Sequence, residues 1–107
     1  MSHALKLFLE LAAVPSPPGS ERAVADRVLA ELRDLGLDAT EDDAGDRIAG
    51  DTGNILARLP ASDPAAPDGG TPIFLCAHLD TVPPTDDIEP VVEDGVVRNA
   101  RDTILGA

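Results

Sequence analysis

The chain has 107 residues, the length of one modest domain, and 43% of them are apolar, which is sufficient for a hydrophobic core. Its 20 acidic residues outnumber 8 basic ones, and the resulting formal charge of -12 opposes binding to nucleic acid or to an anionic membrane surface. Cys76 is the only cysteine, so an intrachain disulfide is excluded.

A first helix is predicted over roughly residues 3 to 13. Its apolar stripe at helical spacing is formed by Leu5, Phe8, Leu9 and Ala12. The run has no basic leader and is interrupted by Glu10, so we interpret it as a folded helix and not as a signal peptide. No apolar stretch approaches the roughly 20 residues of a membrane helix, and a cytoplasmic protein is expected.

A second helix is predicted after a turn rich in proline. Ser20 is the predicted N-cap, Glu21 lies in the favourable first turn, and Gly36 is the predicted C-terminal stop. One face of this helix collects the apolar residues Val24, Val28, Leu32 and Leu35.

Extended segments are predicted in the remainder of the chain. Residues 37–43 have weak strand character, residues 44–52 are predicted to form a loop, and residues 53–59 are extended again. Residues 60–70, with three prolines and two glycines, predict a long solvated loop between strands. Further on, residues 91–98 place an Asp-Gly turn between two β-branched pairs, which is typical of a β-hairpin. Helices followed by strands indicate an α/β fold class.

The segment from Pro72 to Pro83 contains the candidate site residues. Its apolar beginning predicts a buried strand in which Cys76 packs as a small hydrophobic side chain. His78 and Asp80 follow two positions apart, so their side chains leave a strand on the same side. Neutral imidazole is a good zinc ligand, and a carboxylate can bind metal or orient the ring by a hydrogen bond. The pair is therefore a candidate metal site, with a purely structural pair as the alternative. A second ligand from His3 is not expected, because that residue lies in a predicted frayed turn.

Four segments, in this order along the chain, resemble the N-terminal part of the M20 family of metallopeptidases. They are residues 14–21, 53–60, 77–83 and 103–107. The ending Ile-Leu-Gly-Ala, and the lack of tryptophan between Asp86 and Ala107, make the chain look most like the tripeptide aminopeptidase (peptidase T-like) branch. The resemblance implies that residues 1–107 are an incomplete, N-terminal portion of a layered α/β catalytic domain. The rest of that domain and a lid or dimerisation domain would lie outside this sequence.

The resemblance also implies an activity, the hydrolysis of short peptides at a site with two zinc ions. His78 would bind one zinc, and Asp80 would be the catalytic-site carboxylate that orients this histidine. The aspartate that bridges the two ions would come directly after Ala107, with the glutamate general base further on. Asp102 precedes that position and is interpreted as a turn residue. We therefore expect the 107-residue chain to be inactive alone.

Two other functional classes stay open. One is an M20 deacylase of N-acyl amino acids, and the other is a non-catalytic remnant or interaction fragment. Strands that lack their later partners are expected to expose edges and apolar surface. Marginal stability, self-association or partial disorder after the hairpin would follow, and the oligomeric state stays open between a homo-oligomer and association with a missing C-terminal portion.

Overall fold

The computed structural model describes residues 1–62 and 70–106. In chain order, its elements are α1 (His3–Ala12), α2 (Arg22–Asp34), β1 (Asp38–Glu41), α3 (Ala44–Ile48), β2 (Ile55–Arg58), β3 (Pro90–Glu93) and β4 (Val96–Asn99). The predicted α/β class is therefore confirmed. No helix in the described part of the chain is long and apolar enough to cross a membrane.

Both predicted helices form, and their ends have local causes. The hydroxyl of Ser2 accepts the N–H of Leu5 and caps α1. α2 ends as predicted, because Gly36 adopts a φ of 78° and the N–H groups after the helix donate back to its last free carbonyls. The predicted N-cap of α2 is wrong. Glu21 occupies that position in place of Ser20, and its carboxylate accepts the N–H of Gly19 without capping the helix.

The core is small and lies between α2 and β1. Its buried apolar residues are Val24, Ala25, Leu29 and Ala39. Leu35, predicted on the buried face, is 63% exposed, because it is the C-cap and lies just past the end of α2. α1 contributes no buried residue, and Phe8 is exposed. The apolar stripe of α1 is therefore only partly covered.

The described strands form two separate antiparallel pairs. β1 pairs with β2, with Asp38 opposite Arg58. β3 pairs with β4 as the predicted hairpin, and Asp94 and Gly95 supply the two positive φ angles that its Asp-Gly turn requires. The loop predicted over residues 44–52 is wrong in part because α3 occupies its first half.

The buried strand predicted over Pro72–Pro83 does not form. Residues 70–80 adopt no regular structure, and Ile73, Phe74 and Leu75 are 86%, 79% and 89% exposed. Cys76 is also exposed, against the prediction of a packed side chain. A strand needs neighbours for its N–H and C=O groups, and neither strand pair extends to this segment. Most of the loop predicted over residues 60–70 lies outside the described residues.

Candidate functional site

Three loops that are distant in the sequence meet at residues 79–82. The hydroxyl of Ser16, in the connection between α1 and α2, donates to the carbonyl of Leu79 at 2.8 Å, 63 positions later. The carbonyl of Ser16 accepts the N–H of Thr81 at 2.7 Å. From the C-terminal side, the carbonyl of Gly106 accepts the N–H of Val82. Two of the segments that carry the family resemblance, 14–21 and 103–107, thus both bind a third, 77–83.

Gly106 is suited to this contact for two reasons. Its φ of 113° lies in a region that residues with a side chain rarely adopt. A Cβ atom at this position would also lie 2.8 Å from Cγ2 of Thr81, well inside van der Waals contact. The close approach of residues 81 and 106 therefore requires glycine.

The structure brings the two predicted site residues together. Nδ1 of His78 lies 2.7 Å from the main-chain oxygen of Asp80 and 3.2 Å from its carboxylate Oδ1. A carbonyl oxygen can only accept a hydrogen bond, so Nδ1 carries the proton in the neutral ring and Nε2 keeps its lone pair. Metal-binding histidines commonly donate their other ring N–H in this way. Both side chains reach solvent, with exposed fractions of 64% and 42%.

An apolar groove of about 180 Å³ lies beside this pair. Its walls come from α1, α2, the segment 78–81 and the C-terminal loop, through Phe8, Leu11, Ala12, Val24, Val28, His78, Leu79, Asp80, Thr81 and Leu105. The half-covered stripe of α1 forms one side, which explains why Phe8 stays exposed. The groove can accommodate an apolar group next to the imidazole of His78.

The described residues do not form a metal site by themselves. Within residues 1–62 and 70–106, no group of three or more His, Cys, Asp or Glu side chains is arranged to hold a metal ion. Protein zinc sites use three or four protein ligands, so His78 and Asp80 require others. His3 contacts Glu31 through Nε2 at 2.7 Å. Asp102 is exposed at a φ of 57°, in agreement with its interpretation as a turn residue.

A second cavity, of about 220 Å³, is lined by charged residues around the start of α2 and the connections of β1 and β2. Arg22 forms two hydrogen bonds to the carboxylate of Glu41, and these lower the pKa of that carboxyl. The Asn54 side chain and nearby backbone N–H groups lower the pKa of Asp42. Because these acids are paired within the fold, the cluster is explained by its structural contacts.

One residue at the site, Ser16, was not predicted from the sequence. It is fully buried and forms hydrogen bonds with Leu79 and Thr81, the residues before and after Asp80. Its only sequence signal was its place within the Pro-Ser-Pro-Pro-Gly turn of a segment that resembles the M20 family. That signal does not identify a partner more than 60 residues later.

Comparison with known proteins finds three relevant similarities. The chain is 34% identical over 103 residues, 96% of its length, to YqjE, an uncharacterized protein of Bacillus subtilis. It is 32% identical over 85% of its length to the succinyl-diaminopimelate desuccinylase of Corynebacterium glutamicum, and 31% identical over 94% to the cytosol non-specific dipeptidase of Escherichia coli. The chain spans only 26%, 21% and 21% of these proteins, respectively. No family model matches the chain, and no solved structure does.

The two named enzymes are M20-family peptidases, the family that the sequence segments resemble. The chain is therefore similar to M20 enzymes over most of its length. Neither relative is named as a tripeptide aminopeptidase, so the comparison does not distinguish the peptidase T-like branch.

Proposed function

We propose that residues 1–107 are the N-terminal part of a zinc-dependent M20 hydrolase that acts on short peptides, with tripeptide aminopeptidase-like specificity. In this proposal His78 is a zinc ligand and Asp80 orients it. The remainder of the catalytic domain and a lid or dimerisation domain would follow Ala107. The observation that carries the proposal is the contact from Nδ1 of His78 to the main-chain oxygen of Asp80, which leaves Nε2 free to bind a metal.

The described residues have defined tasks in such a site. Asp80 would hold the imidazole through its main-chain oxygen, with its carboxylate 3.2 Å from Nδ1 as a further contact that orients the ring. When bound, zinc would polarise the scissile carbonyl and lower the pKa of a water molecule. The apolar groove beside His78 would accept an apolar part of the substrate.

The similarity to a dipeptidase supports peptide hydrolysis, and the word cytosol in the name of that relative supports a cytoplasmic location. The assignment to tripeptides rests on the Ile-Leu-Gly-Ala segment and on the lack of tryptophan between Asp86 and Ala107. Short peptides are accordingly the substrate class to test first.

A deacylase of N-acyl amino acids is the second candidate. It is favoured by the similarity to a desuccinylase, an enzyme that removes a succinyl group from an amine. Both reactions cleave an amide bond, and one partly apolar groove beside a metal site would suit either substrate. Whether the enzyme cleaves peptides or N-acyl amino acids therefore depends on the groups that recognise the free amine of a peptide or the acyl group.

The test uses the complete reading frame that contains residues 1–107. The purified protein is assayed on tripeptides, dipeptides and N-succinyl amino acids, and its zinc content is measured. We expect tripeptide hydrolysis and bound zinc in the unmodified protein. His78→Ala should abolish the hydrolysis and lower the zinc content, whereas His3→Ala should retain both. The 107-residue chain alone should give negligible turnover.

Each other outcome has a definite meaning. Turnover of N-succinyl amino acids without peptide cleavage would select the deacylase. Full activity and zinc content in His78→Ala would refute the assignment of His78. If the 107-residue chain alone catalysed zinc-dependent hydrolysis, and His78→Ala abolished that hydrolysis, the prediction that this chain is inactive alone would be wrong.

A further inference from the structure

Ser16 is unusual because a polar side chain with no exposed surface lies in a surface turn. Its hydroxyl donates to the carbonyl of Leu79, and its carbonyl accepts the N–H of Thr81 at 2.7 Å and the hydroxyl of Thr81 at 3.3 Å. A buried polar group with unmade hydrogen bonds is unfavourable, so these contacts strongly favour the observed arrangement. Ser16 thus holds the peptide groups on both sides of Asp80.

The geometry of one peptide bond connects Ser16 with His78. The N–H of Thr81 and the C=O of Asp80 belong to the same planar trans peptide, so they point in opposite directions. When the N–H of Thr81 points at Ser16, the carbonyl of Asp80 must point away from it. That carbonyl is the group 2.7 Å from Nδ1 of His78.

We infer that Ser16 is a positioning residue that sets the tautomer of His78 by clamping the two peptide groups around Asp80. Without the clamp, the carbonyl of Asp80 can rotate away from the ring, and Nδ1 loses its shorter contact and keeps only the carboxylate of Asp80, at 3.2 Å. The neutral imidazole then redistributes its proton between the two nitrogens. The importance of this effect for catalysis rests on the proposed function, but the clamp itself does not require a metal or a substrate.

The test measures the tautomer directly by ¹⁵N NMR of the 107-residue chain labelled at histidine, in which only His3 and His78 give signals. The spectra are recorded at about pH 8.5, about 2 units above the ordinary pKa of histidine. We expect the proton of His78 on Nδ1 in the unmodified chain. Ser16→Ala removes the hydroxyl bond to Leu79 and keeps the main-chain bond to Thr81, so one half of the clamp is lost. The ratio of the Nδ1–H to the Nε2–H form should then fall by up to about fivefold, the effect of one neutral hydrogen bond.

Two internal controls separate positioning from general damage to the fold. His3, which contacts Glu31, should show the same tautomer ratio in every variant. Thr81→Val removes only the longer contact from its hydroxyl to the carbonyl of Ser16 and leaves the hydrogen bond from the Ser16 hydroxyl to Leu79, so it should change the ratio for His78 much less than Ser16→Ala.

Amide hydrogen exchange at micromolar concentration is the second measurement. In the unmodified chain, the N–H of Thr81 should exchange more slowly than those of residues 73–79, and Ser16→Cys, which keeps the size but donates weakly, should reduce that difference. An Nε2–H tautomer of His78 in the unmodified chain, an unchanged ratio in a folded Ser16→Ala, or an unprotected Thr81 would each overturn the inference. If Ser16→Ala fails to fold, the tautomer in Ser16→Cys decides. If the unmodified complete protein lacked peptidase activity while His78 showed the expected tautomer, the proposed function would be refuted and the clamp would stand.

Discussion

Replacement of Gly106 by alanine tests how the C-terminal loop is attached to the site. The added Cβ would lie 2.8 Å from Cγ2 and 2.9 Å from Cβ of Thr81, whereas carbon atoms in favourable contact are about 3.5–4.0 Å apart. The φ of 113° adds backbone strain for any residue with a side chain. Alanine therefore meets both a steric and a conformational barrier at this position.

The energies of the strain and of the hydrogen bond at residue 106 predict that Gly106→Ala affects only the C-terminal loop. An L-residue forced into positive φ loses about 1–2 kcal/mol, even before the close contact is counted. The hydrogen bond from Val82 to Gly106 contributes only about 1 kcal/mol. Because the strain exceeds this attachment and the loop lies near the end of the described chain, residues 103–106 should detach while the core remains folded.

The assay is amide exchange of Val82, with Gly36→Ala as the matched control. Gly36 also has a positive φ, of 78°, but a Cβ there would meet no atom within 4 Å. We expect Gly106→Ala to remove the protection of Val82, about fivefold for one hydrogen bond, without a change in the strands. Gly36→Ala should lower the free energy of unfolding by about 1 kcal/mol and leave the docked loop unaffected. Unchanged protection of Val82 in Gly106→Ala would refute this reasoning.

Three further results are expected. Leu29→Ala, at a position only 6% exposed, should lower the free energy of unfolding in urea by about 2–5 kcal/mol, and a loss within error would contradict the assigned core. The hydrogen bond from Arg22 holds the pKa of Glu41 below its ordinary value of 4.5, and the unfolded chain therefore takes up protons first as the pH falls. The stability that the Arg22–Glu41 pair contributes should be fully present above that value and should be lost as the pH falls below it. Arg22→Gln should weaken this pH dependence of the free energy of unfolding, measured in urea titrations. Leu75→Lys should reduce self-association in sedimentation velocity, whereas Ile48→Lys, at an exposed apolar residue outside the 73–75 segment, should not. Equal effects of the two substitutions would argue against the 73–75 segment as the contact.

Local chemistry made several elements predictable from sequence. The apolar spacing in α1 and α2, the positive φ of Gly36 and the Asp-Gly turn of the last hairpin depend on residues within a few positions of each other. The N-cap of α2 was not predictable in the same way. Both Ser20 and Glu21 suit the start of a helix, and the choice between them depends on how the proline-rich turn packs.

The apolar segment 73–76 illustrates a different limit. Its composition favours a strand, but a strand forms only where a neighbouring strand supplies hydrogen bonds. Neither strand pair in the described residues offers one, so Phe74 and its neighbours stay exposed. The pattern thus indicates a capacity for pairing and does not identify the partner.

The sequence by itself determined the candidate pair His78 and Asp80, because their spacing and chemistry are local properties, and its motifs indicated the M20 resemblance. Only the tertiary structure decided how that pair is held. The shorter contact of the imidazole is with the main-chain oxygen of Asp80, and the peptides around it are held by Ser16, 63 positions from Leu79. Hydrogen bonds between such distant residues depend on the packing of whole elements, which no local pattern encodes.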